Sequence, residues 1–294
     1  MPSRLPAAIV VAHDKPRHFR RLIAALQPIP SFVHIDANTP GQIFAEMTRD
    51  LPETVTLLPR LHAGWARSEV LEAELTGYRA ALRDTDAEHF ILLTGADYPL
   101  ASAPAIAEYL SCHIEDSFVE IHPIPRPGWG RTGGADRFWF HQWPWRHHRI
   151  ALPIPRRLPQ SVVRGAGSQS KVLCRRDAEY VVQTLGKRPD LWRYFRRCWT
   201  PDEVTIHSLL LSRKLGSTWH GATPKKLELW YTDWGTAPAR NPRWLTTADF
   251  HLLRDARFRT SQPALFARKF SDDSGELLDH IDSELRSTPI PLPE

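Results

Sequence analysis

Residues 7–36 read AAIVVAHDKPRHFRRLIAALQPIPSFVHID, and their pattern decides the fold. The run AAIVVA has the length and β-branched content of a buried strand, and it breaks at His13 and Asp14. From Pro16 to Leu26 the apolar residues fall at helical spacing, behind a proline suited to a first helical turn. FVHID (32–36) then returns to strand, so the stretch predicts a βαβ unit. The rhythm continues outward with TVTLL (54–58), a helix from about Ala66 to Arg83 with Val70, Leu71, Leu75, Tyr78 and Leu82 on one side, and HFILLTGADYPL (89–100). Such alternation predicts an α/β fold, a mostly parallel central sheet flanked by helices on both faces. Ligands of such sheets lie beyond the carboxyl ends of the strands, which directs attention to His13, Asp14, Asp36 and Asp97.

Further along, Ile121 to Gly167 is crowded with Pro, Trp, Arg and His and has no sustained period, which predicts a long irregular insertion. Regular patterning returns at SKVLCRR (170–176) and in helices near Asp177–Leu185 and Pro201–Leu211. It continues in strands near LELWYTD (227–233) and ALFARKF (264–270), and in a final amphipathic helix from about Ser274 to Leu285.

The bulk composition narrows the class. At 294 residues with 42% hydrophobic side chains the chain can bury a sizeable core, and no apolar stretch has the length of a membrane span. The first apolar run lacks a cleavage signal, so a cytoplasmic protein is expected. Cys112, Cys174 and Cys198 have neither disulfide nor zinc spacing and read as buried or idle thiols. A net charge of +5 favours an anionic partner without choosing among nucleic acid, a membrane surface and a phosphorylated small molecule.

Several constellations carry candidate chemistry. WTPDEVTIHSLL (199–210) opens with Thr200, Pro201, Asp202 and Glu203, which fits a capped helix start; it also fits a general base, Glu203, at the edge of a cleft. Arg268 and Lys269 in LFARKF read either as one solvated and one snorkelling charge or as a clamp on a diphosphate. Asp84-Thr85-Asp86 has the letters of a metal-binding pair but precedes its strand, so it reads as a solvated turn, and any diphosphate would then be held by protein cations. His141, His147 and His148 form no metal motif, and Gly-x-Ser-x-Gly and P-loop signatures are absent. The tryptophans of the insertion, Trp143 and Trp145 among them, suit stacking on the sugars of an acceptor or on bases, and so are candidate acceptor-binding residues, or they simply pin the loop.

In order, AAIVVAHDKPRHFRRLIAAL, FVHIDA, HAGWARSEVLEAEL, HFILLTGADYPL, AGSQSKVLCRRDAEYVV, WTPDEVTIHSLL and ALFARKF resemble the core-2/I-branching β-1,6-N-acetylglucosaminyltransferases and the related peptide O-xylosyltransferases, over about residues 7–285. The resemblance implies a GT-A fold spanning 1–294, with an acceptor-side insertion at about 121–167 and a C-terminal diphosphate-binding segment and helix at about 240–288. It also implies an inverting, metal-independent transfer from UDP-GlcNAc or UDP-xylose, with no cofactor beyond the donor. Carried over by position, Asp36 meets the uracil or ribose, Trp65 lines the donor pocket, Asp97 lies by the sugar, Glu203 is the base, and Arg268 and Lys269 grip the diphosphate. Trp234 matches a residue near the acceptor, and Arg243, or alternatively Arg240, a second diphosphate arginine. The expected acceptor is a glycan, a lipid-linked oligosaccharide or a protein, with transient contact at an anionic inner membrane face and no nucleic acid. Two rival readings are a polyanion-binding module and a two-carboxylate glycoside hydrolase using Glu203 with Asp97 or Asp36.

Overall fold

The computed structural model describes residues 4–145, 148–219, 229–236, 241–259 and 262–290. Strand β1 (Ala7–Ala12) is followed by α1 (Pro16–Leu26), β2 (Ser31–Ile35), α2 (Gly41–Thr48), β3 (Val55–Leu57), α3 (Ser68–Asp84) and β4 (His89–Thr94). After β5 (Asp97–Pro99), α4 (Ala103–Ser111) and β6 (Phe118–Val119), the insertion contributes β7 (His122–Pro123), α5 (Asp136–Trp139), β8 (Phe140–Trp145), β9 (His148–Pro155) and β10 (Gly165–Ala166). The remainder runs β11 (Lys171–Cys174), α6 (Arg175–Lys187), α7 (Pro189–Phe195), α8 (Pro201–Leu211), β12 (Trp230–Thr232), α9 (Phe250–Arg257), β13 (Phe266–Arg268) and α10 (Gly275–His280).

The main sheet has the order β3-β2-β1-β4-β11-β6, with β3, β2, β1 and β4 parallel and β11 antiparallel to both of its neighbours. Strand alternation divides the core cleanly. Ala8, Val10, Ala12, Ile91 and Leu93 face a layer that includes Phe19, Leu22 and Leu26 of α1, whereas Ala7, Ile9, Phe90 and Leu92 face one that includes Leu71, Leu75 and Tyr78 of α3 and Val204 of α8. Both faces are therefore covered, which is why these strands read as continuous apolar runs. The expected α/β architecture with a mostly parallel sheet is the one observed.

Two differences matter for the site. The segment HFILLTGADYPL is two strands in different sheets: β4 ends at Thr94, and β5 pairs antiparallel with β13, which in turn pairs parallel with β12. A small second sheet thus carries the LFARKF segment to the carboxyl end of the main one. The insertion also holds more regular structure than its composition suggests, because β8 and β9 form an antiparallel ribbon.

Candidate active site at the carboxyl ends of the sheet

Lys15 adopts the left-handed conformation (φ 58°) just before α1, pairs with Asp14, and sets its Nζ 4.9 Å from the centre of the Trp244 ring. Lys269 approaches the same ring at 5.3 Å. Beside them, Arg268 ends β13 opposite Asp97, with its Nε 3.6 Å from Asp97 Oδ1 and its Nη1 donating to Ser170 Oγ at 3.3 Å. Asp97 is fully buried, and its other oxygen accepts the N–H of Thr94. Burial pushes the Lys269 ammonium below its ordinary pKa, and neighbouring Arg268 adds to the shift. A group in that position is stabilised by any anion that arrives, so three cations from two distant parts of the chain form a receptive rim.

Glu203 occupies the first turn of α8. Its Oε2 accepts from Arg137 Nη1 at 2.7 Å, and the same Nη1 donates to Thr200 Oγ1 at 2.7 Å. Among the described residues Oε1 accepts no hydrogen bond, so one carboxylate oxygen is anchored and the other is free to receive a proton. The helix starts at Pro201 behind Thr200 with both acids in its first turn, as a capped start predicts, but the Thr200 side chain forms no cap hydrogen bond. Thr200 lies at φ 48°, outside the extended region a capping residue needs, and its hydroxyl donates to the Trp199 carbonyl instead of serving the helix. A β-branched residue in the left-handed region is a backbone outlier, of the kind that collects at functional sites.

The two groups are joined by residues 167–171. Ser170 touches Arg268, Ser168 presents its carbonyl to His207 Nε2 at 3.0 Å, and the Gly167 N–H donates to the Glu203 carbonyl at 3.1 Å. Gly167 is required here, because a Cβ would lie 1.7 Å from the Glu120 carbonyl oxygen. Beneath α8 lies a fully buried pair, Lys171 Nζ to Glu74 Oε1 at 2.9 Å, with Tyr78 donating to the same oxygen. Asp202 is buried next to it, and burial together with Glu203 pushes its carboxyl up to about 7. These groups are tied to the core and do not reach the surface.

Trp65 stands in the loop before α3 and meets Trp199 edge-on at 5.2 Å, which brings it to the Glu203 side. Asp36 lies just past β2, where its Oδ1 accepts from both the backbone and the side chain of Asn38, and its own N–H bonds Ala12 at the end of β1. Asp97 has no exposed surface and braces Arg268, so it does not present the exposed second acid that a hydrolase needs. Arg243 is already ion-paired. Its guanidinium is shared between Asp233 and Asp249, and Arg243 in turn holds the Asp249 carboxyl down to about 2. Arginines make such bidentate pairs strongly, so a phosphate would have to displace two carboxylates. Arg240 and His147 lie outside the described residues. Trp234 is exposed two residues beyond β12, and Trp143 and Trp145 are exposed on the β8–β9 ribbon. Asp84 pairs with Arg83 at the solvated end of α3, as its position before β4 suggested. Cys174 and Cys198 are buried free thiols and Cys112 an exposed one.

Three residues of the arrangement escaped the sequence reading: Lys15, Trp244 and Arg137. The strand-end rule pointed at His13 and Asp14, one residue short of Lys15. Arg137 sits in a segment without periodicity, so nothing local marks it as the partner of a glutamate 66 positions away. A hollow of about 350 Å³ lined by Tyr180, Gln183, Thr184, Lys187, Arg188 and Leu215 contains none of these side chains.

A sequence model of the Core-2/I-Branching enzyme family matches residues 10–254. Among curated proteins the chain is similar to a xylosyltransferase of Ciona intestinalis, 24% identical over 97% of this chain and 34% of that protein, and to xylosyltransferase 1 of Homo sapiens, 24% identical over 92% and 29%. It spans about a third of the length of these relatives. Among solved structures, HddC from Yersinia pseudotuberculosis aligns with 59% of this chain and 79% of its own, at 10% identity and a TM-score of 0.28, a likeness too distant to speak to chemistry. With the family match running from within β1 to within α9, the chain belongs to the Core-2/I-branching enzyme family.

Proposed function

We propose that this protein transfers a sugar from a UDP-sugar to an acceptor hydroxyl in a single displacement, on a GT-A scaffold. Glu203 takes the proton from the acceptor oxygen as that oxygen attacks the anomeric carbon from the face opposite UDP, and the configuration inverts. Arg137 fixes the direction of the carboxylate. Arg268 and Lys269 hold the diphosphate and absorb its charge as the bond to the sugar breaks, with Lys15 completing the cationic rim. Asp36, just past β2, receives the nucleoside, and Trp65 lines the sugar side of the pocket. In this reading the protein's own cations supply the positive charge that a divalent ion supplies in metal-dependent nucleotide-sugar enzymes, and the reaction runs in the cytoplasm. The donor sugar is GlcNAc or xylose, and the acceptor a glycan, a lipid-linked oligosaccharide or a protein.

The observation that carries this reading is a half-anchored carboxylate and, at the strand ends, a cation cluster whose Lys269 has no ion pair among the described residues, joined through residues 167–171. A melting-temperature panel of nucleotide sugars with EDTA present tests it, since a ligand that binds only the folded form raises the transition. UDP-GlcNAc or UDP-xylose should stabilise the protein and UMP much less. Stabilisation that appears only when a divalent ion is restored, or none by any UDP-sugar, would sink the proposal.

A further inference from the structure

The ribbon β8–β9 has a side that the proposed reaction does not use. Cross-strand register pairs His141 with Leu152, Trp143 with Ile150 and Trp145 with His148, so these residues share one face, and Ile154 extends it. Gln142 and Arg149 mark the opposite face, which is fastened to the body. Gln142 is buried and donates to the Asp136 carbonyl, while Arg149 bonds Gln142, the Asp136 carboxylate and the Asp136 carbonyl. The ribbon therefore cannot turn its apolar face inward. Trp143, Trp145, Ile150, Leu152 and Ile154 are between 39% and 56% exposed, a contiguous apolar strip of a kind monomeric surfaces rarely leave uncovered.

The segment that carries this strip bears charge of one sign. From Arg137 to Arg176 the sequence contains no Asp or Glu. The segment after α7 lies along the ribbon, where the Arg197 carbonyl accepts the Gln142 N–H and the Arg197 guanidinium stands 5.5 Å from the Trp143 ring centre. Arg157, two residues past β9, and Arg193 and Arg196, close to Arg197 in sequence, are exposed. Aromatic and aliphatic side chains on one face, with arginines beside it and the Asp136 carboxylate taken up by Arg149 on the opposite face, match the boundary of an anionic bilayer: the apolar groups enter the acyl edge and the guanidinium groups meet the headgroup phosphates. Among the described residues no helix is long and apolar enough to cross a membrane, so this contact is a peripheral one.

We infer that the outer face of the β8–β9 ribbon docks the protein on anionic lipid bilayers. The test uses the full chain with vesicles of phosphatidylcholine, with and without phosphatidylglycerol, in a co-sedimentation assay that needs no nucleotide. Its failure therefore leaves the proposed transfer reaction untouched, and failure of that reaction leaves this inference standing. The protein should sediment with the anionic vesicles and not the neutral ones, and added salt should weaken the association. The combined variant Trp143→Ser, Ile150→Ser, Leu152→Ser should lose at least about tenfold in partitioning, because each substitution removes a large apolar side chain from the buried face. Its melting temperature should stay close to that of the parent. Should the variant misfold, quenching of the unaltered protein's tryptophan fluorescence by brominated lipid, reduced in Trp143→Phe, Trp145→Phe, decides the same point. Equal partitioning of variant and parent, absence of binding to anionic vesicles, or a concentration-dependent dimer that the triple variant abolishes would each overturn the inference; the last would assign the face to a second copy of the chain.

Discussion

Arg268 and Trp143 stand at two sites of similar composition, basic residues beside tryptophans, yet their surroundings are opposites. Arg268 closes a strand whose other two residues are fully buried, and its side chain is 14% exposed against a carboxylate with no exposure at all. Lys15 and Lys269 are likewise held on one indole ring by elements anchored in the core. Trp143 projects from a ribbon whose outer strand is exposed at every residue and which is fastened along one face. Where cations are fixed and desolvated, they are poised for a small anion of defined geometry; where they are solvated at the border of an apolar strip, they suit a broad, soft anionic surface. Arg243 shows the third possibility: a cation already neutralised by two carboxylates is a brace.

The sharpest way to break this contrast is at the base. Glu203→Gln should lower kcat by about 10²- to 10⁴-fold while leaving UDP affinity nearly unchanged, as measured by product formation alongside calorimetry. Normal turnover would remove Glu203 from the mechanism. Lys269→Ala comes next, with an expected loss of about 10²- to 10³-fold in kcat by analogy with other electrostatic stabilisers and a matching loss of UDP affinity. Arg243→Ala is its control: it should lower the melting temperature and spare UDP binding. If Arg243→Ala weakens UDP as much as Lys269→Ala does, the division between clamp and brace is wrong.

His18 offers a smaller effect below the same rim. It is buried against Tyr98 and Phe270 with Nε2 at the Asp97 carbonyl, and burial lowers its pKa to about 4. The unfolded chain takes up this proton near pH 6.5 and the folded protein does not, so stability is lost as pH falls from about 6.5 to about 4 and the loss then levels off. Its full size is on the order of 3 kcal/mol, and His18→Gln should flatten that part of a denaturation-versus-pH series. Gly167→Ala should cost about 1–3 kcal/mol through overpacking and reduce activity as well, because the same backbone supports Glu203. Serine in place of Trp143 should change stability by no more than about 0.5 kcal/mol and leave UDP affinity unaltered, which would separate the ribbon from the donor site.

Residues 7–36 show why so much of the scaffold could be read in advance. AAIVVA is buried on both faces and the helix after it is buried on one, so each leaves its own period in the order of side chains. Glu203 was legible as a candidate because it opens a helix where a general base could face a cleft, and the family resemblance raised it further. Arg137 was not, because its significance is a distance to Glu203 across 66 residues of chain. The ribbon was missed for a different reason: Pro144, Pro153 and Pro155 interrupt what is otherwise an alternating pattern, and proline argues against strand except at exposed edges, where these strands lie.

The amino-acid order alone determined the alternation of strands and helices, the two-sided burial of the sheet and the identity of the acidic and basic candidates, because all of these are encoded in local spacing. Which candidates act together was decided only in three dimensions. Asp97 became a buried brace, Arg243 a neutralised one, and Lys15 a partner of Lys269, since burial and charge pairing depend on neighbours brought in from elsewhere in the chain, and local spacing carries no record of them.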